Sequence, residues 1–229
     1  MCGRITLRTS PQELRELFDV VRGFDSIPDW SPRYNVAPTT VMLCVRETKD
    51  GRELFPAKLG LIPSWAKDAK LGVSAFNAKS EAVDTKPMFR SAFKSRRCLV
   101  IASGFYEWEK LDARTKQPHY ITLKSGEPMA MAGLWETWKP PDGEPIQSCT
   151  ICTTDANPFM LKLHDRMPVI LPNATIAPWL DPAIKDPVAL KPILAQLPPD
   201  QLQEWPVSKD VGNVRNQGEY LAEPLAADA

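Results

Sequence analysis

The chain has 229 residues, of which 43% are hydrophobic and 24% charged, and its 28 basic residues are balanced by 28 acidic ones. This length and composition are typical of a globular protein with an ample core. A formal net charge of zero excludes an overall attraction to polyanions, so any nucleic-acid site must be a local basic patch.

The first 93 residues predict short strands, two helices and a hairpin. Ser10 and Glu13 form a capping box with Pro11 at the first helical position, and Leu14 begins an apolar stripe. The predicted elements are a strand at Ile5–Leu7, a helix that begins at Pro11, irregular chain over 23–39, hairpin strands at Val41–Val45 and Glu53–Leu61 around an Asp50-Gly51 turn, and a short helix at Met88–Phe93.

The rest of the chain predicts a run of strands followed by helices bounded by prolines. Strand character is found at Cys98–Ala102, Phe105–Glu109, His119–Leu123, Met129–Thr137 and Ser148–Thr154. Helices are predicted at Asn157–Leu163, Ala174–Leu180 and Pro187–Leu197, before a polar, turn-rich segment over 206–218. Many short strands, few helices and no internal repeat predict an α+β fold. We expect a single domain, residues 1–229, with a curved, barrel-like, mostly antiparallel β-sheet core and peripheral helices.

The cysteines give little indication of disulfides or of a metal site. Their number, five, is odd and their spacing irregular, unlike a disulfide framework. The single CxxC, Cys149 to Cys152, lies in an apolar segment, which predicts strand residues rather than metal ligands. No apolar run approaches membrane-spanning length, and the N-terminus lacks the features of a signal peptide. We therefore expect a cytoplasmic protein that needs no metal or other cofactor.

Cys2 follows the initiator directly and is small enough for methionine removal. Removal of Met1 would expose a free α-amine and a thiol on adjacent carbons. The reference pKa of an α-amine is about 7.7–8.0 and that of a thiol about 8.5, so both are accessible nucleophiles near neutral pH. With an aldehyde, such an aminothiol forms a Schiff base and then a thiazolidine. The alternative is an ordinary N-terminal tail.

Glu107 is bracketed by aromatic residues in the segment 104–108, GFYEW. On a strand it points to the same side as Phe105 and away from Tyr106 and Trp108. A carboxylate held among aromatic rings tends to have a raised pKa, which suits a general acid or base near neutral pH. The alternative is an exposed glutamate on a solvent-facing side of the strand.

Two further polar residues stand at predicted element boundaries. His164 follows a predicted helix and can relay protons near pH 7, with Asp165 or another neighbour setting its tautomer; the alternative is a structural cap. Asn77 can hydrogen-bond a sugar hydroxyl or hold a nucleophile, but it also suits a turn. The other histidine, His119, is predicted to be a surface or packing residue.

Scattered cations and two tryptophans are candidates for contact with nucleic acid. Trp65 and Trp108 could stack on bases, although tryptophan also serves in cores. The cations that could neutralise phosphates, or merely form solvated faces, are Arg4, Arg33, Lys79, Arg90, Arg96, Arg97 and Arg166.

Seven segments of the chain together resemble the SRAP family, the abasic-site-processing proteins associated with the bacterial SOS response to DNA damage. They are MCGR at 1–4, RYNVAP at 33–38, GLIPSWAKD at 60–68, FNAKSE at 76–81, GFYEW at 104–108, HDRMPVIL at 164–171 and VGNVRNQG at 211–218. Each would be weak alone. Because they occur in the family's order over nearly the whole chain, the seven together are highly specific for the family.

The resemblance implies that mature Cys2 attacks the ring-opened aldehyde of an abasic site in single-stranded DNA and forms a thiazolidine crosslink that shields the lesion. Asn77 would position the N-terminal residue and the opened sugar, and Glu107 would act as acid and base in Schiff-base formation and in crosslink reversal. His164 would stabilise the sugar oxygen and assist ring opening. The residues implied to line the DNA groove are Arg4, Asn35, Trp65, Lys79, Arg90, Trp108 and Arg166. The family has also been assigned peptidase character, because Met1 must leave first.

The implied partner is single-stranded DNA with an abasic site, and duplex on one side of the lesion is compatible with it. We expect a monomer that makes no membrane contact and joins the nucleoid when bound to DNA. Two positions depart from the family pattern: Lys79 replaces a frequent arginine, and Leu59 replaces a common tryptophan. Lysine keeps the phosphate charge but loses the bidentate fork.

Two other classes of function compete with this interpretation. An N-terminal-nucleophile amidohydrolase also uses a mature cysteine, with its thiol attacking an amide. That class leaves Glu107 and His164 without a role. A non-covalent single-stranded DNA-binding module would explain the arginines and tryptophans but would not require Cys2.

Overall fold

Two β-sheets form the centre of the fold, seen in a computed structural model that describes residues 3–225. Cys2, the predicted nucleophile, lies outside the described residues. The strands are β1 (Ile5–Leu7), β2 (Val20–Arg22), β3 (Arg33–Val36), β4 (Val41–Thr48), β5 (Gly51–Leu59), β6 (Asn77–Lys79), β7 (Arg97–Ala102), β8 (Gly104–Lys110), β9 (Lys116–Leu123), β10 (Met129–Trp138), β11 (Ile146–Asp155), β12 (Arg166–Pro168) and β13 (Leu202–Pro206). The helices are α1 (Pro11–Leu17), α2 (Arg90–Ser95), α3 (Asn173–Leu180) and α4 (Pro187–Leu190).

The first sheet is antiparallel and the second closes on itself. The first sheet has the order β13-β9-β8-β1-β3. The second has the order β12-β11-β10-β7-β4-β5-β2, and β11 also pairs in parallel with β5, at Ser148↔Lys58 and Cys149↔Leu59. The strands β4, β5, β11, β10 and β7 therefore form a ring, because β5 and β11 also pair with each other. The predicted α+β fold with a curved, barrel-like, mostly antiparallel core is confirmed.

The second sheet is buried on both faces, which places it between two cores. Along β7, Cys98, Val100 and Ala102 join a core shared with the first sheet, whereas Leu99 and Ile101 face a core completed by the helices. Period-2 alternation explains this division, and burial on both sides explains why the strand reads as an uninterrupted apolar run. Among the described residues, no helix is long and apolar enough to cross a bilayer.

Most of the predicted elements are confirmed. The five central strands are present, the hairpin is formed by β4 and β5, and α1 begins at a capping box in which Ser10 accepts from the Glu13 amide. The CxxC cysteines lie on β11; Cys149 joins the core between the sheets and Cys152 the helix-covered core. Residues three apart on a strand point to opposite faces, so these two thiols cannot bind one ion together.

Three predictions about local structure were wrong. The segment 23–39 contains β3, an edge strand beside β1. The predicted helix at Asn157–Leu163 is only a 3-10 turn at Met160–Lys162, because the Asn157 side chain accepts the Met160 N–H at 2.9 Å and initiates a turn. The predicted helix at Pro187–Leu197 ends as α4 at Leu190 and continues as a 3-10 turn, because Pro192 has no N–H to donate.

A close approach of two glycines fixes the loop between β5 and β6. Gly60 has φ +127°, and a Cβ there would lie 2.4 Å from the Gly72 carbonyl oxygen. The Leu61 amide donates to the Ala75 carbonyl at 3.1 Å and closes the loop. Trp65 is thereby held outward, with 58% of its surface exposed.

Candidate active site and DNA-binding surface

Glu107 lies on the central strand of the first sheet and is buried. The strand β8 runs between β9 and β1, and Glu107 shares a face with Phe105, which packs in the core between the sheets. Tyr106 packs on the opposite face against Tyr120. The alternative of a solvent-facing glutamate is therefore wrong, because both faces of β8 are covered here. Burial raises the pKa of Glu107 above its ordinary value, and nearby His164 acts in the opposite direction.

One core cluster brings the neighbourhoods of Glu107, Asn77 and His164 together. Phe105, Leu163 and the partly buried Phe76 belong to the same cluster between the sheets. Glu107 is two residues beyond Phe105 on the same face, and the other two polar residues directly follow a cluster member. Asn77 begins β6, which pairs in parallel with β11 at Ile151. Residues from three distant segments therefore border the same core.

The tautomer of His164 is set by the backbone. The Arg166 N–H donates to His164 Nδ1 at 3.0 Å, which places the proton of the neutral ring on Nε2. The Asp165 carboxylate lies 2.7 Å from the same Nδ1. One nitrogen cannot accept and donate at once, so Nδ1 either accepts from the Arg166 N–H or, when it carries a proton, donates to Asp165. The side chain is 31% exposed, which leaves the ring accessible to solvent.

The register between β1 and β8 directs the start of the chain towards Glu107. The two strands pair antiparallel, and the ladder extends to a hydrogen bond of 2.9 Å from the Tyr106 N–H to the Arg4 carbonyl oxygen. One residue further along this register, Gly3 lies opposite Glu107. The chain therefore runs along β8 towards Glu107 as it is followed back from β1.

Arg4 and Asn35 are held by the loop at 211–216. Arg4 Nη1 donates to Asn35 Oδ1 at 2.8 Å and to the Val211 carbonyl, and Nη2 donates to the Gly212 carbonyl at 3.0 Å. Burial lowers the pKa of Arg4. The amide of Asn35 donates to backbone carbonyls in the same loop, at residues 211, 213 and 216. Asn35 is 2% exposed, so its described contacts are with the protein itself.

Arg166 is clamped by carboxylates. Its guanidinium donates to both oxygens of Glu81, to Asp155 and to the Thr153 carbonyl. These contacts raise the pKa of Arg166 and lower that of Glu81. The cation joins β12 to β11 and to the chain that follows β6. A phosphate would therefore have to compete with two carboxylates for this guanidinium.

The remaining predicted DNA-binding residues differ in exposure. Trp65 and Lys79 are exposed, and Trp108 is partly buried with the Arg4 guanidinium carbon 5.9 Å from its ring centroid. Arg90 is exposed at the start of α2, whose Ala92 and Phe93 pack in the helix-covered core. Arg90 therefore lies on the side of the second sheet away from Glu107.

Sequence reasoning missed the polar residues beside Glu107. His119 pairs directly with Glu107 across β8 and β9 and is buried among Glu109 and Glu204. Its prediction as a packing residue captured its burial but not its contacts. The hairpin register of β8 and β9, with the turn near residue 113, was the signal that could have revealed this pair.

A cavity in the structure lies apart from the candidate site residues, and the described residues form no metal-binding cluster. A cavity of about 460 Å³ lies between α1, the turn at 124–128 and the segment at 170–173, away from Glu107. Within residues 3–225, no group of three or more His, Cys, Asp or Glu side chains is arranged to hold a metal ion.

Known proteins of similar sequence cover almost the whole chain. The protein is 40% identical over 223 residues to the abasic site processing protein YoqW of Bacillus subtilis, covering 97% of this chain and 99% of that one. It is 32% identical to the abasic site processing protein YedK of Escherichia coli, covering 98% and 100% of the two chains. With HMCES of Xenopus tropicalis, also named an abasic site processing protein, it shares 33% identity over 94% of this chain and 76% of that one.

Solved structures share the fold. A crystal structure of a Bacteroides thetaiotaomicron protein superimposes with a TM-score of 0.89 at 20% identity, covering 98% of this chain and all of the other. A phage-related protein of Bordetella bronchiseptica gives a TM-score of 0.71 at 29% identity, covering 91% of this chain and 95% of the other. The family model described as SOS response associated peptidase (SRAP) matches residues 1–214. The chain belongs to the SRAP family.

Proposed function

We propose that this protein processes abasic sites in single-stranded DNA by forming a covalent crosslink through Cys2 after Met1 has been removed. The observation that carries the proposal is the strand register that brings Gly3 opposite the buried Glu107. Consecutive Cα atoms are about 3.8 Å apart. A nucleophile one residue before Gly3 would therefore act close to the Glu107 carboxyl group. The relatives named abasic site processing proteins support the choice of substrate.

The chemistry needs one amine, one thiol and two proton-transferring groups. The Cys2 amine adds to the aldehyde carbon of the ring-opened sugar, and loss of water gives an imine. The thiol then adds across the C=N bond, with sulfur bonding to carbon and the proton passing to nitrogen, which gives the thiazolidine. Each step conserves atoms and needs no oxidant.

Glu107 is suited to the dehydration step. Because burial raises its pKa, the carboxyl group keeps its proton at a higher pH than an exposed glutamate. It would donate this proton to the departing hydroxyl group and accept one back when the crosslink reverses. His164 would give the Nε2 proton to the sugar ring oxygen as the ring opens, and Asn77 would orient the opened sugar.

DNA would bind to exposed side chains and to residues that line a groove near Glu107. Trp65 can stack on a base, and Lys79 can contact a phosphate. Arg4, Asn35 and Trp108 would shape the groove near Glu107. Because the net charge is zero, binding would be modest, independent of base sequence and weakened by salt. Arg166, held by Glu81 and Asp155, and Arg90, on the far side of the second sheet, remain predicted contacts outside the groove near Glu107.

The test is a denaturing gel after incubation with single-stranded DNA that contains one abasic site. We expect a heat-resistant protein–DNA adduct that is lost with Cys2→Ala or when Met1 is retained. Cys152→Ala, which removes a buried thiol from β11, serves as the matched control and should leave the adduct intact.

Each competing function has its own outcome in this experiment. Glutamine hydrolysis with an intact DNA band would favour the amidohydrolase. A shift of the DNA on a native gel, without an adduct on the denaturing gel, would favour a non-covalent binding module. An adduct that persists in Cys2→Ala would overturn the proposed nucleophile.

Removal of Met1 is a separate step, and we propose that it precedes crosslinking whether it is autocatalytic or performed by an aminopeptidase. Intact-mass measurement of the purified protein would show the loss of methionine. If Glu107→Gln retained Met1 while Glu144→Gln, a change at an exposed loop residue, lost it, the removal would be autocatalytic.

A further inference from the structure

A row of polar side chains continues from Glu107 across the first sheet. Glu107 pairs with His119 on β9, and Glu204 on β13 pairs with Ile121, two residues from His119 on the same strand. Phe105 pairs with Ile121, which lies opposite Glu204, and Phe105, Ile121 and Leu202 belong to the core between the sheets. The polar row therefore borders this core directly, with the side chains on one face.

His119 is held between two carboxylates. Its Nδ1 contacts Glu204 Oε2 at 2.5 Å, and its Nε2 lies 3.2 Å from Glu109 Oε2. Carboxylate oxygens only accept, so both contacts are hydrogen bonds when both ring nitrogens carry protons. The two carboxylates approach opposite nitrogens, which prevents them from converging on one ion. The side chain is 11% exposed, so water competes little for these bonds.

Glu204 connects this row to another segment. Its second oxygen, Oε1, accepts from the Lys162 ammonium group. Burial acts to raise the pKa of Glu204, but the hydrogen bonds from Lys162 and His119 outweigh it and the pKa is lowered. The carboxylate is thereby kept ionised between two donors, one on each oxygen.

Lys162 ends the short turn that carries His164. The N–H groups of Leu163 and His164 both donate to the Met160 carbonyl at 2.9 Å, which fixes His164 to this turn. A continuous set of contacts therefore runs from the turn, through Lys162 and Glu204, to His119, the direct neighbour of Glu107.

We propose that Lys162, Glu204 and His119 form a positioning network that holds the turn at 160–164, and with it His164, in a fixed orientation relative to Glu107. Its importance for crosslinking rests on the proposed function, but its effect on His164 does not. The three residues would touch neither DNA nor the reacting atoms. They would act by keeping His164 and Glu107 in a fixed position relative to each other.

The direct test uses the fact that the chain has only two histidines. A long-range ¹H–¹⁵N spectrum of the imidazole nitrogens resolves both rings without DNA. In the native protein we expect the neutral form of the His164 ring to carry its proton on Nε2, because the Arg166 N–H donates to Nδ1. In Glu204→Gln and Lys162→Met, we expect the His164 signals to move towards the average of the two tautomers, whereas Lys162→Arg, which keeps the cation, should retain the native signals.

Internal checks make this spectrum decisive. The His119 signals should change in Glu204→Gln, because the contact is direct, and this change shows that the bond has been broken. Lys185→Met and Glu144→Gln, both at exposed positions, are the matched controls and should leave both rings unchanged. His164 signals that stay native while those of His119 change would overturn the network.

The kinetic test measures the crosslinking rate in a single turnover. We expect Glu204→Gln to slow crosslinking by about tenfold or more, since small displacements of reacting groups have effects of this size, with affinity for intact single-stranded DNA unchanged. In a His164→Gln background, the same substitution should cause no further loss. An equal further loss would show that Glu204 does not act through His164. If the unmodified protein forms no adduct, the proposed function fails, while the histidine spectrum still decides whether the network exists.

Discussion

Arg4 and Asn35 meet through a hydrogen bond of 2.8 Å between Nη1 and Oδ1, and both side chains also bind the Val211 carbonyl. The residue before β1, the edge strand β3 and a loop more than 170 residues away are thereby joined at one point. Both residues were predicted to contact DNA. The geometry shows that they also build the surface on which any such contact would depend.

Replacing Asn35 with alanine should therefore destabilise the protein. The substitution removes the hydrogen bonds of the Asn35 amide to the loop at 211–216 and the Oδ1 acceptor of Arg4, and we expect the free energy of unfolding to fall by about 2–3 kcal/mol. Urea denaturation measures this change, with Asn173→Ala, at an exposed helix start, as the control. Weakened DNA binding at full stability would instead show that Asn35 serves the nucleic acid alone.

Trp65 should behave in the opposite way. Because 58% of its surface is exposed, Trp65→Ala should leave the melting temperature almost unchanged. If the ring stacks on a base, affinity for single-stranded DNA should fall by about 1–3 kcal/mol. Fluorescence anisotropy in a Cys2→Ala background isolates non-covalent binding. Leu161→Ala removes a side chain that is 60% exposed and should not alter affinity; an equal loss in both variants would argue against stacking.

Glu107→Gln should make the protein more stable and less active. The pKa of Glu107 is raised above its ordinary value of 4.5, so the folded state holds this proton more tightly than the unfolded chain does. The stability of the native protein therefore declines as pH rises from about 4.5 through the folded-state pKa, where glutamine carries no such penalty.

The measurement is thermal unfolding of both proteins across this pH range. We expect the melting temperature of Glu107→Gln to exceed that of the native protein by a few degrees at about pH 8, and the difference to shrink below pH 4.5. Crosslinking and its reversal should both be slower. A difference in melting temperature that does not vary with pH would show that the carboxyl group is not strained by burial.

Substitution of Arg97 should lower the stability of the protein more than most other substitutions. Its buried guanidinium donates to the carbonyls of Trp179 and Phe93 at 2.6 and 2.7 Å, and to those of residues 94, 181 and 184. We expect Arg97→Met to lower the free energy of unfolding by about 3 kcal/mol or more, because these carbonyls lose their only described side-chain donor. Chemical denaturation measures the loss, and Arg114→Met in an exposed turn provides the baseline; similar losses in both would contradict this assignment.

The sequence was sufficient to predict the strands whose apolar pattern is local. The segments that became β7, β8, β9, β10 and β11 are either fully apolar or clearly alternating, and each prediction matched within a few residues. Strands that form only by pairing with segments distant in the sequence were not predicted. The strands β3 and β13 are short and polar, and they become strands only because β1 and β9 offer them an edge.

The same distinction applies to the candidate site. Glu107 could be selected from its aromatic neighbours, because burial follows from local sequence. The clamp on Arg166 could not, since Glu81 is 85 positions away and its approach depends on the pairing of β6 with β11. Likewise, nothing local to Lys162 indicates Glu204, which reaches it from the last strand. Contacts of this kind follow from topology.

The burial of the four described cysteines has a practical consequence for studying the fifth. Cys44, Cys98, Cys149 and Cys152 are fully enclosed, and burial raises the pKa of Cys44, Cys98 and Cys152. Such thiols react slowly with solution reagents while the protein stays folded. A rapid thiol titration of the native protein would therefore measure the reactivity of Cys2 against a silent background, and loss of this signal on adding DNA would report the proposed crosslink without DNA gels.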